Sequence, residues 1–282
     1  MPLPRGAYAP IPTPLDESGV FDPSALARHL EVLTEGGLDG ALIMGTNGEF
    51  PSFDVNERMA VAEAAAKFGG GLDLMLGVGS CAVPECVHFV RTAAFFGYGS
   101  VLVPPPFYFR AAPVAGLIAF FSEVLDAAEL PVLLYHIPQV TGVPISEELI
   151  DALLDHPRFS GVKDSSGDAA ELERFIDRIG DRAYMVGNDR LVSASVARGG
   201  GSITAVASVA PELVAATQRD PSRQPDLDAV RGLLESFGLG PAVKAVLRHK
   251  GIGAYRTRPP LVGLDPDGCV RLLDDFNALV GT

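Results

Sequence analysis

The chain has 282 residues, the length of one α/β barrel of ~250 residues or of two smaller domains. Hydrophobic residues make up 48% and charged residues 20%, a globular mix that can bury a large core and rules out disorder for most of the chain. Twenty-two basic against 35 acidic residues give a net charge of −13, which argues against nucleic acid or an anionic membrane as a partner. Polar or charged residues interrupt every apolar stretch before the ~18 residues a membrane span needs. Met1 to Pro14 shows no basic region followed by an apolar core, so no secretory signal is expected. Cys81, Cys86 and Cys269 are too few for a disulfide framework, and His88 beside the first two makes a poor zinc pattern. Reduced thiols in a cytoplasmic protein are the expectation.

Short apolar runs alternate with amphipathic segments along the chain. Tyr8 to Ile11 reads as a strand, then Pro23 to Leu33 as a helix, opened by Asp22 with Pro23 at its first position. Ala41 to Met44 is a strand and Asp54 to Phe68 a helix, Leu72 to Val78 a strand and Pro84 to Phe96 a helix. Ser100 to Val103 and Pro113 to Ala128 form the next pair, followed by Pro131 to Tyr135 and Ser146 to Leu154. Phe159 to Val162 leads into Ala169 to Ile179, Ala183 to Val186 into Arg190 to Ala197, and Ser202 to Val206 into a helix from Pro211. Eight strand–helix units with strands apolar throughout suit a parallel sheet covered on both faces, hence a (β/α)8 TIM barrel. A doubly wound sheet is the alternative, but its Gly-x-Gly-x-x-Gly loop after the first strand is absent. Arg219 to Pro225 shifts to Pro, Asp, Arg and Gln and reads as a loop. Beyond it, Asp226 to Phe237, Ala242 to His249 and Cys269 to Val280 form a C-terminal helical appendix. The expected division is a catalytic barrel over 1–224 and a helical region over 225–282.

In such a barrel, chemistry belongs at the C-terminal ends of the strands. Of four lysines, Lys67, Lys244 and Lys250 fall on helices and read as solvated surface charges. Lys163 closes the sixth strand, where burial would favour a neutral amine able to attack a carbonyl and form a Schiff base. The plainer reading pairs Lys163 with Asp164 or Asp168. Tyr135 ends the fifth strand and offers a hydroxyl for proton transfer, or is simply an aromatic at the core edge. Gly45-Thr46-Asn47-Gly48-Glu49 follows the second strand, a tight turn whose backbone N–H groups could face an anion, or an ordinary connecting loop. His29, His88, His136, His156 and His249 are scattered, so no metal cluster is expected; His136, next to Tyr135, is expected to face outward.

These motifs, with Tyr135-His136-Ile137-Pro138, Thr141-Gly142 and Gly161-Val162-Lys163-Asp164, resemble those of the dihydrodipicolinate synthase / N-acetylneuraminate lyase family of pyruvate-handling class I aldolases. Weaker similarities are Gly187-Asn188-Asp189 and Gly199 to Thr204; the resemblance spans essentially the whole chain. It implies Lys163 as Schiff-base nucleophile, Tyr135 as general acid/base, and Thr46 as proton relay. It implies that the N–H groups of Thr46 and Asn47 hold the pyruvate carboxylate, with Gly45, Ser165, Gly187 and Ile203 also at the substrate. It implies a homotetramer built as a dimer of dimers, in which Tyr108 completes the relay of a neighbouring subunit. No metal or other cofactor is implied, since the imine does the polarising.

Departures bear on the substrate. Where dihydrodipicolinate synthases carry an arginine for the carboxylate of aspartate semialdehyde, this chain has Val140. Val55, Cys81 and Phe107 stand where their feedback-lysine site has His, Asn and Tyr. Asn47 and Ser165 are similar instead to the 4-hydroxy-2-oxoglutarate aldolase branch, close to the 2-keto-3-deoxy sugar acid aldolases. The expected reaction is cleavage of a 4-hydroxy-2-oxo acid to pyruvate and an aldehyde. The alternatives are 4-hydroxy-tetrahydrodipicolinate synthesis and, from another class, a non-catalytic 2-oxo acid sensor, which would not need Lys163, Tyr135 and Thr46 together.

Overall fold

The computed structural model describes residues 3–281. Residues 1–2 and 282, the outer ends of the two expected regions and the start of the Met1–Pro14 stretch, lie outside them. Eight strands, β1 (Ala7–Pro10), β2 (Gly40–Ile43), β3 (Asp73–Gly77), β4 (Ser100–Val103), β5 (Val132–His136), β6 (Phe159–Asp164), β7 (Ala183–Val186) and β8 (Gly201–Ile203), pair in sequence order. All pairs are parallel, and β8 returns to β1 with Ala7 opposite Ser202, closing the barrel. The helices are α1 (Pro23–Glu35), α2 (Val55–Phe68), α3 (Val83–Phe96), α4 (Val114–Ala127), α5 (Pro138–Thr141) and α6 (Glu147–Leu153). They continue with α7 (Ala169–Ile179), α8 (Val192–Ala197), α9 (Pro211–Arg219), α10 (Gln224–Ser236), α11 (Leu239–His249) and α12 (Pro266–Val280). The protein is therefore a (β/α)8 TIM barrel with C-terminal helices. No helix among the described residues is long and apolar enough to cross a membrane.

Side chains of a strand alternate between its two faces, so each strand feeds two cores. Tyr8, Leu42, Met75, Leu102, Leu133, Tyr135, Met185 and Ile203 form the inner one. The outer core, much larger, joins the other strand face to the helices. Strand β6 gives the inner core no apolar side chain. Its inner positions, set by the pairing of Leu133 with Gly161 and Tyr135 with Lys163, are a glycine and a lysine.

Three sequence expectations need correction. Strand β8 ends at Ile203 rather than Val206, because Ala205–Ser208 turns into a 3-10 helix and the Val206 N–H donates to the buried Asp189 carboxylate at 3.3 Å. The stretch expected as a loop around Arg219 to Pro225 holds a 3-10 turn capped by Asp220, and α10 already starts at Gln224. Lys244 is not a solvated charge: it is 5% exposed and faces Glu49.

After α11 the chain runs back across the barrel mouth as a strap. Tyr255, at φ 48°, donates its hydroxyl to His29 Nδ1 at 2.7 Å, and His29 Nε2 donates to the Ser208 carbonyl at 2.9 Å. Arg258 clasps Glu57 at 2.6 Å and donates to the Ser52 and Gly19 carbonyls. Burial holds the His29 imidazole down at about 4, against the Ser208 carbonyl, which favours its charged form. Between the ordinary value near 6.5 and about 4, the unfolded chain therefore binds a proton that the folded chain refuses. Stability should fall as pH drops through that window, by on the order of 3 kcal/mol from this group. His29→Gln, which can still donate and accept, should flatten the dependence of the urea midpoint on pH between 6.5 and 4; an unchanged slope would refute the assignment.

Candidate active site

The C-terminal ends of β2, β5, β6, β7 and β8 converge on one hollow of about 360 Å³, lined by Thr46, Asn47, Tyr135, Lys163, Ser165, Gly187 and Ile203. A second hollow of about 340 Å³, lined by Phe50, Pro104, Phe107, Ile137, Val140 and Leu261, joins it through shared Thr46, Tyr135, Ile137 and Val140. A larger depression of about 610 Å³, along α9 and α12, contains none of these chemical groups.

Lys163 is 3% exposed, and its ammonium stands 4.3 Å from the centre of the Tyr135 ring. The acids that could have paired with it are occupied elsewhere. Asp164, the next residue, points to the other face and accepts from Tyr184 at 3.0 Å and from the Ser166 N–H at 2.8 Å. Asp168 caps α7 by accepting from the Ala170 N–H. The Tyr135 hydroxyl accepts from Ser165 at 3.3 Å and Thr46 at 3.4 Å. Burial pushes this phenol up, but the Lys163 charge and hydrogen bonds from Ser165, Thr46 and Lys163 outweigh it, so the phenol is more acidic than an ordinary tyrosine.

Glycine makes this crowding possible. A Cβ on Gly187 would lie 1.9 Å from Ser165 Oγ, and one on Gly161 would lie 1.9 Å from the Ala183 carbonyl oxygen. The turn after β2 is bracketed by two non-glycine residues in left-handed conformation, Met44 at φ 54° and Glu49 at φ 55°. Such strain is retained where surrounding contacts hold the backbone, and it concentrates at functional sites. Within the turn, the N–H groups of Thr46 and Asn47 make no hydrogen bond among the described residues.

Two residues expected at the site stand apart. Gly45 shapes the turn without lining the hollow; a Cβ there would meet Leu42 at 2.7 Å. Tyr108 is 80% exposed and reaches neither hollow of its own chain. His136 faces outward as expected: it accepts from the Ile145 N–H at 3.0 Å and packs edge-on against Phe175. Sequence reasoning missed Gln139, Asn188, Arg231 and Glu235, which complete the polar wall. Gln139 donates to the Ser165 carbonyl at 2.6 Å, and Arg231 pairs with the buried Asp189 at 2.6 Å and with Glu235 at 2.7 Å. Asn188 carried a signal in the Gly187-Asn188-Asp189 run, whereas Arg231 and Glu235 look like any i,i+4 surface pair. Among the described residues no group of three or more His, Cys, Asp or Glu side chains is placed to hold a metal ion.

A closed parallel barrel with chemistry gathered at the C-terminal mouth defines an enzyme, and its relatives make it a lyase of the class I, pyruvate-dependent kind. Residues 3–223 match the dihydrodipicolinate synthetase family, and the chain belongs to that family. An uncharacterized DapA-like lyase of Chloroflexus aurantiacus is 38% identical over 260 residues, covering 88% of this chain and 87% of the relative. A 4-hydroxy-tetrahydrodipicolinate synthase of Corynebacterium aurimucosum is 33% identical, covering 94% and 91%. Among solved structures, YagE, a prophage protein from E. coli K12 in complex with pyruvate, superposes with a TM-score of 0.93 at 24% identity, over 99% of both chains. The dihydrodipicolinate synthase from Aquifex aeolicus gives 0.90 at 26% identity, over 97% of both.

If the Lys163 charge is what offsets burial at Tyr135, Lys163→Met should raise the Tyr135 titration above that of an ordinary tyrosine. Ultraviolet titration, with Tyr135→Phe as the difference reference, reads this directly; an unmoved Tyr135 would show that the neighbouring hydroxyls alone set its acidity.

Proposed function

We propose that this lyase cleaves, or in reverse forms, a 4-hydroxy-2-oxo acid, giving pyruvate and an aldehyde, with 4-hydroxy-2-oxoglutarate or a 2-keto-3-deoxy sugar acid as substrate. The observation that carries the reading is the buried Lys163 amine beside an acidified Tyr135 phenol, with the neighbouring acids Asp164 and Asp168 engaged elsewhere. In this reading Lys163 attacks the C2 carbonyl and water leaves, giving a protonated imine. Tyr135, as phenolate, takes the proton of the C4 hydroxyl. The C3–C4 electron pair flows into the imine, and the aldehyde departs. The enamine takes its proton back at C3 from Tyr135, and water releases pyruvate and restores the amine. Thr46 and Ser165 hold the Tyr135 oxygen in place, and Thr46 relays the proton. The unpartnered N–H groups of Thr46 and Asn47 receive the C1 carboxylate, with Gly187 and Ile203 at the hollow's wall. Pyruvate as a ligand is also supported by YagE, solved in complex with pyruvate.

The reading extends to assembly and location. Tyr108, exposed and away from its own hollow, suits delivery to a neighbouring subunit in a homotetramer of the cytoplasm. The barrel over 1–224 would carry the chemistry, and the helical region over 225–282 would complete its wall through Arg231 and Glu235.

The names of relatives such as the Corynebacterium aurimucosum synthase favour a second reading, condensation of pyruvate with aspartate semialdehyde. Against it, Val140 lines the mouth, and Arg231, the guanidinium of the polar hollow, is already engaged by Asp189 and Glu235. A second carboxylate would go without a bidentate partner, which is worth roughly 2–5 kcal/mol where one is truncated.

Incubation with pyruvate and borohydride should add one reduced pyruvyl group, at Lys163 alone. Tyr135→Phe should keep slow labelling while cleavage falls by ~10²–10⁴-fold, the scale of a general acid–base contribution; labelling at Lys67, Lys244 or Lys250 would end the assignment. Val140→Arg should improve condensation of aspartate semialdehyde, followed by cyclic-product absorbance, without improving cleavage, followed by pyruvate release. Wild-type condensation at a kcat/KM of about 10⁴ M⁻¹s⁻¹ or more, the lower edge of enzyme-grade values, would make the second reading the better one.

A further inference from the structure

The fold buries a second lysine, and it lies outside the reaction just described. Lys244, on α11, places its ammonium 2.5 Å from Glu49 Oε1, with the two side chains only 6% and 11% exposed. Its other contact is the Arg256 carbonyl of the strap, at 3.4 Å. Taking two charges out of water is costly, and the pair recovers that cost only if its geometry is well held. Its placement therefore matters. Glu49 ends the turn that carries Thr46 and Asn47, and does so in a left-handed backbone conformation that a non-glycine residue avoids when left to itself.

Other contacts also hold this turn. The Glu49 N–H donates to the Thr46 carbonyl at 3.0 Å, the Ser52 N–H to the Glu49 carbonyl at 2.8 Å, Thr13 Oγ1 to the Gly48 carbonyl at 2.7 Å, and Thr46 Oγ1 to the Tyr135 hydroxyl at 3.4 Å. None of these is made by the Thr46 or Asn47 N–H itself. The Glu49 side chain is the charged handle on the turn, and Lys244 holds it. We infer that Lys244 is a positioning residue: from α11 it fixes Glu49, and through Glu49 it aims the Thr46 and Asn47 N–H groups at the carboxylate of the substrate. The inference rests on the proposed function, which places that carboxylate at the turn. It makes the C-terminal helices part of substrate recognition at a point where none of their side chains touches the substrate carboxylate.

The test separates carboxylate recognition from general damage. Lys244→Met alone leaves Glu49 charged and buried, which can unfold the chain. The double variant Glu49→Gln/Lys244→Met removes both charges and leaves none stranded. Two ligands are compared, pyruvate and methyl pyruvate, which offers the same ketone without a carboxylate charge. In borohydride trapping, the half-saturating concentration of the double variant should rise about tenfold or more for pyruvate and less than about twofold for methyl pyruvate, as for the loss of one well-aimed charge-assisted contact. Lys244→Arg, which keeps the pair, should stay within about threefold of the wild type for pyruvate. Equal rises for both ligands, or no rise for pyruvate, would overturn the inference. If the double variant does not fold, Glu49→Ala, which removes the acceptor altogether, decides by the same comparison, since Lys244 keeps its Arg256 carbonyl.

Binding is also read without the imine, from the rise in melting temperature that pyruvate produces. A wild type stabilised by pyruvate but never trapped defeats the Schiff-base reading, while loss of that stabilisation in the double variant still upholds the role of Lys244. A wild type neither stabilised nor trapped defeats both.

Discussion

The chemistry of this barrel depends on one irregularity in strand pairing. Between β5 and β6, Val132 lies opposite Phe159, but its neighbour Leu133 lies opposite Gly161, so Ser160 is passed over. From there the register runs on to set Tyr135 against Lys163 and His136 against Asp164. Strand side chains alternate with a period of two, so a slip of one residue exchanges inside for outside. With the shift in place, the amine and the phenol share the interior, while the carboxylate and the imidazole share the outer face. Without it, Tyr135 would lie opposite Val162, and Lys163 would turn to the outer face opposite His136, so the phenol would lose its cation. Gly161 makes the shift possible, since any side chain there would run into the Ala183 carbonyl.

The outer face shows what that exchange avoids. Tyr184, which meets Asp164 there, has its phenol pushed far up, by burial first and then by the carboxylate. Tyr135 is just as deeply placed but faces a cation and two hydroxyl donors, and its phenol is brought down. Two tyrosines on adjacent layers of one barrel thus differ in acidity because of which neighbour the register gives them. Of the two, the inner phenol is the more acidic.

Much of this was legible in the sequence, for identifiable reasons. Strands buried on both faces are apolar without alternation, so the eight short runs and their spacing declare a barrel. Lys163 stood out as the one of four lysines that ends a strand, whereas the direction of Tyr135 stayed open until the strand register set it inward and its neighbour His136 outward. Lys244 was misread because its pattern is local: beside Arg248 and His249, on an amphipathic helix, it looks solvated, and its partner Glu49 is far away along the chain. Arg231 and Glu235 were hidden for the same reason, since a helical ion pair looks alike on a surface and at a cavity wall. Strand β8 was overextended because the Asp189 carboxylate that claims the Val206 N–H is invisible to any local rule.

The strap gives the molecule an order of assembly. Its contacts join the last part of the chain to the first: Tyr255 to His29 across 226 residues, and Arg258 to the Gly19 carbonyl across 239. A chain emerging from the ribosome can pair all eight strands before Lys244, Tyr255 and Arg258 have been synthesised, but the mouth of its barrel stays unclasped until they arrive. The mouth is therefore completed only after the strands, once residues 244–258 have been made and close it from without. A chain stopped before that point would hold Lys163 in an unfinished hollow, with Glu49 unpaired and His29 without its tyrosine partner.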